Sequence, residues 1–168
     1  MKIYLIGFMG CGKSHWGRLL GEKLKIPFMD LDDRITAAAG KNITEIFAEE
    51  GEERFRALER DTLHQLSEGT DSFIMACGGG TPCFYNNIGY MNRTGTTVWI
   101  HCSVDCLFGR LQGEKAKRPL IRDLSDEALK SYIQKKFSDR RIFYEQASVQ
   151  VPGDELTLDR LVDVIFHS

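Results

Sequence analysis

The sequence predicts an α/β fold, a parallel sheet covered by helices on both faces, and three observations carry that reading. Short apolar runs rich in β-formers alternate along the chain with segments of helical spacing, the pattern of a parallel sheet with crossover helices. The first run leads directly into a glycine-rich loop and then an amphipathic segment. The length of 168 residues matches the roughly 100–200 of one domain, so one domain is expected over 1–168. Apolar residues at 42% and charged residues at 27% lie near the globular averages of about 45–50% and 25%, which excludes a disordered, fibrous or coiled-coil chain.

Five runs read as strands: Lys2 to Ile6, a weaker one at Pro27 to Leu31, Phe73 to Cys77, Thr96 to Ile100, and Ser148 to Val151. They are short, apolar and β-branched or aromatic, as strands buried on both faces are. Between them, Trp16, Leu19, Leu20 and Leu24 form one helix face. Leu129, Tyr132, Ile133 and Phe137 form another, and Leu158, Leu161, Val162 and Ile165 a third. Asn42 and Glu45 have the spacing of a capping box, and Ser125 precedes two acids that suit the start of a helix over Asp126 to Tyr144. From Gly113 to Asp123, Gly, Pro and cations interrupt any period, which marks a mobile segment.

Charge narrows the function. Lys and Arg total 22 against 24 Asp and Glu, a net −2, without the basic excess of nucleic-acid binders. The total hides an asymmetry: Gly109 to Arg141 holds ten cations against five acids, a region prepared to meet an anion. No apolar run approaches the roughly 18–20 residues of a membrane span, and no signal-peptide core follows the N-terminus, so a cytoplasmic protein without membrane contact is expected. Five scattered cysteines fit reduced thiols rather than disulfides. His101, Cys102 and Cys106 lack paired zinc spacing, and these cysteines read as core residues.

The chemistry begins at Gly7-Phe8-Met9-Gly10-Cys11-Gly12-Lys13-Ser14, which fits G-x-x-x-x-G-K-[ST] between a strand and a helix. Glycines let successive amides curl around a phosphate, and the helix N-terminus adds partial positive charge. Lys13 reaches the β- and γ-phosphates, and the Ser14 hydroxyl ligates Mg²⁺. A nucleoside triphosphate site follows. Asp30 and Asp32 close the second strand, where a two-residue period puts both carboxylates on one side of the sheet's C-terminal edge. One suits a metal shell, the other an acceptor hydroxyl. A helix N-cap is the plainer use of such acids.

Arg56 has a guanidinium fork suited to a carboxylate, although Glu52 four residues before it offers an ordinary helical ion pair. Arg140 sits among Lys136 and Arg141, a like-charge cluster that an anion would relieve. Gly78, Gly79 and Gly80 follow the third strand and admit a ligand close to the backbone. Lys115, Lys117, Arg118 and Arg122 lie in the mobile segment, as in a lid that closes over a triphosphate, with Arg118 placed to stabilise charge on the transferring phosphoryl group.

This ordered set, with Ile46-Phe47, Gly51-Glu52 and Phe55-Arg56, then Arg118-Pro119-Leu120, and Arg140 four residues before Tyr144, resembles the shikimate kinases. These are P-loop enzymes related to the nucleoside monophosphate kinases, and the resemblance spans nearly the whole chain. It implies a three-layer α/β/α P-loop NTPase fold with five parallel strands in order 2-3-1-4-5, a substrate-binding helical segment near 32–62 and a lid near 112–124. It also implies ATP-dependent phosphorylation of shikimate at the 3-hydroxyl in the chorismate pathway, by a monomer whose partners are ATP and shikimate and whose cofactor is Mg²⁺. By the same resemblance, Gly10, Cys11, Gly12, Lys13, Ser14, His15, Arg110 and Arg118 bind ATP, with Ser14 and Asp30 on the metal. Asp32, Arg56, Gly78, Gly79, Gly80 and Arg140 bind the acceptor, and Lys13, Asp32 and Arg118 are catalytic. His15 and Cys77 stand where the family has Thr, or Thr and Ser, and the stretch from Arg110 to Arg118 is one residue longer than usual. A kinase of another hydroxy acid, such as gluconate, and a nucleotide-dependent regulatory protein are the alternatives.

Overall fold

The computed structural model describes residues 1–167. In chain order the elements are β1 Lys2–Ile6, α1 Lys13–Leu24, β2 Phe28–Asp30, α2 Leu31–Ala39, α3 Ile43–Gly69, β3 Phe73–Ala76, α4 Asn87–Thr94, β4 Thr96–His101, α5 Val104–Gln112, α6 Asp126–Tyr144, β5 Val149–Pro152 and α7 Leu158–His167. The five strands form one sheet in the order β2-β3-β1-β4-β5, and every pairing is parallel. That is the order the family resemblance implies. β1 lies in the centre, with Leu5 opposite Ala76 on one side and Val98 on the other.

Alternate residues of the central strands feed two cores. Ile3, Leu5, Ile74, Val98 and Ile100 pack on one face with Leu20, Leu107, Leu111 and Leu161. Tyr4, Ile6, Phe73, Met75 and Trp99 pack on the other with Ile46, Leu63, Ile88 and Met91. The double burial explains why these strands read as continuous apolar runs. α6 serves both cores, giving Leu129 and Ile133 to the first and Tyr144 to the second.

Helix starts follow the sequence signals. Asn42 and Glu45 make a reciprocal capping box at α3, Ser103 accepts from the Cys106 amide at α5, and Ser125 accepts from the Ala128 amide at α6. α3 is broken at Gly51, whose φ of 84° and ψ of 166° are not helical. A side chain would be strained there, so the turn before Phe55 and Arg56 depends on glycine.

Four of the five strands differ from expectation at their ends, β4 by running one residue past Ile100 to His101. β2 stops at Asp30, because the Asp30 side chain accepts from the Asp33 amide and starts α2. Asp32 is therefore in the first helical turn rather than on a strand, and the two-residue period does not relate the two carboxylates. β3 ends at Ala76, before Cys77, and β5 begins at Val149 and runs to Pro152. The segment after α5, lacking any period in sequence, is a chain of tight turns, with Lys117 N bonded to Glu114 O, Arg118 N to Lys115 O and Ile121 N to Arg118 O. Ile121 is fully buried and Leu120 largely exposed, so the segment is anchored at one residue and projects at the next. Among the described residues, no helix is long and apolar enough to cross a membrane.

Candidate active site

The C-terminal edge of the sheet carries two adjoining cavities, of about 430 and 400 Å³. The first is floored by Gly10, Gly12, Lys13 and Ser14, and the second is walled by Phe47, Phe55, Arg56, Glu59 and Arg140. Met9, Asp32, Gly78, Gly79 and Arg118 line both. The two cavities thus meet at one carboxylate and one guanidinium.

The phosphate side is made by backbone. Gly7, Gly10 and Gly12 have φ of 145°, 83° and 98°, a region closed to other residues without strain. Gly12 caps α1 in the left-handed conformation, no side chain caps that helix, and no acid lies in its first turn. Its leading amides are thus free to meet an anion. Lys13 Nζ donates to the carbonyls of Gly7 (2.7 Å) and Phe8 (3.0 Å), which holds the ammonium over the loop. The Ser14 hydroxyl donates to Asp30 Oδ2 at 2.9 Å, so one carboxylate both caps α2 and faces the loop serine. The N-cap use and the metal-shell use of Asp30 are compatible, through different oxygens.

Cys11 has its side chain fully buried in the core with Leu107 and Leu111 of α5 and does not line the first cavity. His15 is exposed at the cavity rim, edge-on to Trp16. Arg110 lines neither cavity; its Nη1 donates to Gly10 O at 3.1 Å and lies 3.7 Å from Cys102 Sγ. Cys77 touches the first cavity but is a core thiol, 3.8 Å from Met91 Sδ, with burial pushing its ionisation far upward.

The second cavity is made by side chains from distant elements. Arg56 is only 8% exposed, stacked over the Phe84 ring at 4.2 Å. Its expected partner, Glu52, lies at 3.6 Å, but the closer one is Glu59, at 3.0 Å and 1% exposed. Glu59 also accepts from the Thr81 hydroxyl at 2.8 Å. Sequence reasoning passed over Glu59 and Thr81, although Glu59 stands on the same helical face three residues after Arg56. Tyr144, fully buried, donates to Gly79 O at 2.6 Å and fixes the glycine run from the α6 side.

The glycines lie directly under two guanidiniums. A Cβ on Gly80 would stand 2.6 Å from Arg56 Nη2, and one on Gly79 would stand 2.9 Å from Arg140 Nη1. Both guanidiniums therefore reach the same stretch of backbone, with Arg140 also over the Phe8 ring at 5.7 Å. Arg118 is held in the turn segment by Glu114, both nitrogen contacts being 2.9 Å.

Asp32 sits between these cations and two other acids. Burial first, then Glu59 and Asp30, pushes its carboxyl up to about 6, against the pull of Lys13 and Arg56. A carboxylate with that affinity is ionised at neutral pH yet more basic than usual, which suits a proton acceptor.

Comparison with known proteins follows the same line. The family model described as shikimate kinase matches residues 9–167. The shikimate kinase of Azobacteroides pseudotrichonymphae is 40% identical over 162 residues, 96% of this chain and 95% of that protein. That of Flavobacterium johnsoniae is 40% identical over 165 residues, covering 98% and 96%. A crystal structure of shikimate kinase from Bacteroides thetaiotaomicron superposes with a TM-score of 0.94 at 38% identity, over 98% of both chains. The shikimate kinase from Acinetobacter baumannii in complex with shikimate gives 0.85 at 28% identity, over 98% of this chain and 92% of that one.

Proposed function

The chain belongs to the shikimate kinase family, and from that premise we propose how its residues phosphorylate shikimate at the 3-hydroxyl with ATP, giving shikimate 3-phosphate and ADP on the way to chorismate and the aromatic amino acids. One observation carries the assignment of roles: two cavities, one lined by a phosphate loop and one by two arginines, share Asp32 and Arg118. A small acid with several hydroxyls matches the second cavity, because Arg56 and Arg140 offer charge-assisted bonds to a carboxylate and Asp32 accepts from an alcohol.

ATP lies with its phosphates on the amides of Gly10, Cys11 and Gly12, and Lys13 turns from the loop carbonyls to the β- and γ-phosphates. His15 and Arg110 border the nucleotide, while Gly78, Gly79 and Gly80 let the acceptor approach the backbone. Ser14 Oγ and Asp30 Oδ2, 2.9 Å apart, are hard oxygen donors of the kind Mg²⁺ takes, and they fit that ion as its protein ligands. When bound, Mg²⁺ supplies positive charge to the phosphate oxygens. Asp32 orients the 3-hydroxyl and takes its proton as the oxygen attacks the γ-phosphorus in line. Lys13 and Arg118 stabilise the equatorial oxygens.

Arg118 reaches the phosphates when the lid near 112–124 moves over them and Glu114 releases its guanidinium, excluding water from the transfer. The segment near 32–62 carries Asp32 and Arg56 and acts as the acceptor-binding arm. We place the enzyme in the cytoplasm, as a single-domain monomer with reduced thiols.

The test is ADP release with Mg·ATP and either shikimate, gluconate or no acceptor, with product mass recorded. Release with shikimate alone, and a product heavier by one phosphoryl group, is the expected result. Release with gluconate, or with neither acid despite tight ATP binding, would overturn the assignment.

A further inference from the structure

Away from the two cavities, three soft or anionic donors converge where sequence spacing shows only two. Cys102 directly follows β4, Cys106 lies in the first turn of α5, and Asp154 comes from the loop after β5. Their Sγ and carboxylate oxygen atoms all lie within 4.8 Å of one another. We propose that Cys102, Cys106 and Asp154 form a binding site for a thiophilic divalent cation of the zinc class, with a fourth position open to solvent.

The surroundings are those of a built site. Asp154 is oriented by Ser103, whose hydroxyl donates at 3.1 Å and whose amide donates at 3.4 Å, as carboxylate ligands are held by outer-shell donors. Arg110 Nη1 lies 3.7 Å from Cys102 Sγ, placed to donate to a thiolate. Cys106 sits in the first turn of α5, at the positive end of the helix dipole. Two thiolates and one carboxylate carry three negative charges, which a divalent cation and Arg110 together cancel.

The backbone is cut to bring the donors together. Gly153 N donates to His101 O at 2.7 Å, and a Cβ at Gly153 would stand 2.5 Å from Cys102 Sγ. Glycine therefore lets the loop carrying Asp154 close on the thiol. Two sulfurs and one oxygen in an open set select zinc-like ions over Mg²⁺, which prefers oxygen alone. The same turn reaches the phosphate loop, since Arg110 also bonds Gly10 O, so the ion would brace that loop from behind.

Co²⁺ is the probe, added to reduced, chelator-treated protein. The expected result is one equivalent bound, with a thiolate-to-cobalt charge-transfer band and tetrahedral d–d absorption, both displaced by Zn²⁺. Cys106→Ser should abolish the band and Asp154→Ala should weaken binding by about tenfold or more, while Cys83→Ser leaves both unchanged. Circular dichroism establishes that each variant is folded, and Zn²⁺ should raise the melting temperature of the parent protein but not of Cys106→Ser. Absence of the charge-transfer band, its survival in Cys106→Ser, or half-saturation only at millimolar Co²⁺ would overturn the site. So would loss of two titratable thiols as a Cys102–Cys106 disulfide in place of metal uptake.

Discussion

The phosphate loop and the acceptor pocket share a sheet edge but are built on opposite principles. The loop is eight consecutive residues whose geometry is set by backbone, by three glycines at positive φ and a helix without a side-chain cap. The pocket is an assembly drawn from α2, α3, the glycine run, the turn segment after α5, and α6, elements far apart in the chain. A local device survives most changes elsewhere, whereas a distributed one depends on every buried partner. The two should therefore fail differently when residues are removed.

The largest effect is expected at the loop. Lys13→Met removes the ammonium held over it and should lower kcat by about 10³-fold, with shikimate binding unchanged; a calorimetric titration with shikimate checks the second half. Asp32→Asn should lower kcat by roughly 10²-fold or more and also remove the rise of the wild-type rate with pH through about 6. Stability should move the other way. The folded carboxyl binds its proton near 6 rather than at its ordinary 3.8, so its contribution is present below about pH 4 and is lost as pH rises through 6. Above that pH, Asp32→Asn should therefore gain about 1–2 kcal/mol, measurable by urea unfolding at pH 5 and pH 8. An equal shift at both pH values would contradict the assignment.

Glu59→Gln sharpens the contrast. It removes the nearer and buried of the two charged partners of Arg56 and the charged acceptor of the Thr81 hydroxyl and should cost about 3 kcal/mol, with the KM for shikimate raised and that for ATP unmoved. The smallest effect is expected at Tyr144→Phe, which removes the 2.6 Å bond to Gly79 O and should cost about 1 kcal/mol, read as a modest shift in urea midpoint.

The same division explains what was legible in the sequence. The strands and the phosphate loop were readable because parallel strands are continuous apolar runs and the loop motif is contiguous, whereas the strand order came only with the family resemblance. Asp30 was readable by type but not by geometry: its own cap turned the chain into α2 and placed Asp32 on a helix. Arg56 was visible, yet its nearer partner was not, because choosing between Glu52 and Glu59 depends on which helix face is buried. Tyr144 marked the family pattern, but its bond to Gly79 spans 65 residues and no spacing rule reports it. Asp154 was missed beside Cys102 and Cys106 for the same reason, since two neighbouring strands, β4 and β5, bring it there.

The central claim is that acceptor recognition rests on the arginine pair and is separable from nucleotide binding. Direct titration of Arg56→Lys with shikimate and, separately, with Mg·ATP tests it most simply, because lysine keeps the charge and loses the fork. The expected result is shikimate affinity lower by about tenfold with ATP affinity unchanged. Unchanged shikimate affinity, or equal loss for both ligands, would contradict it.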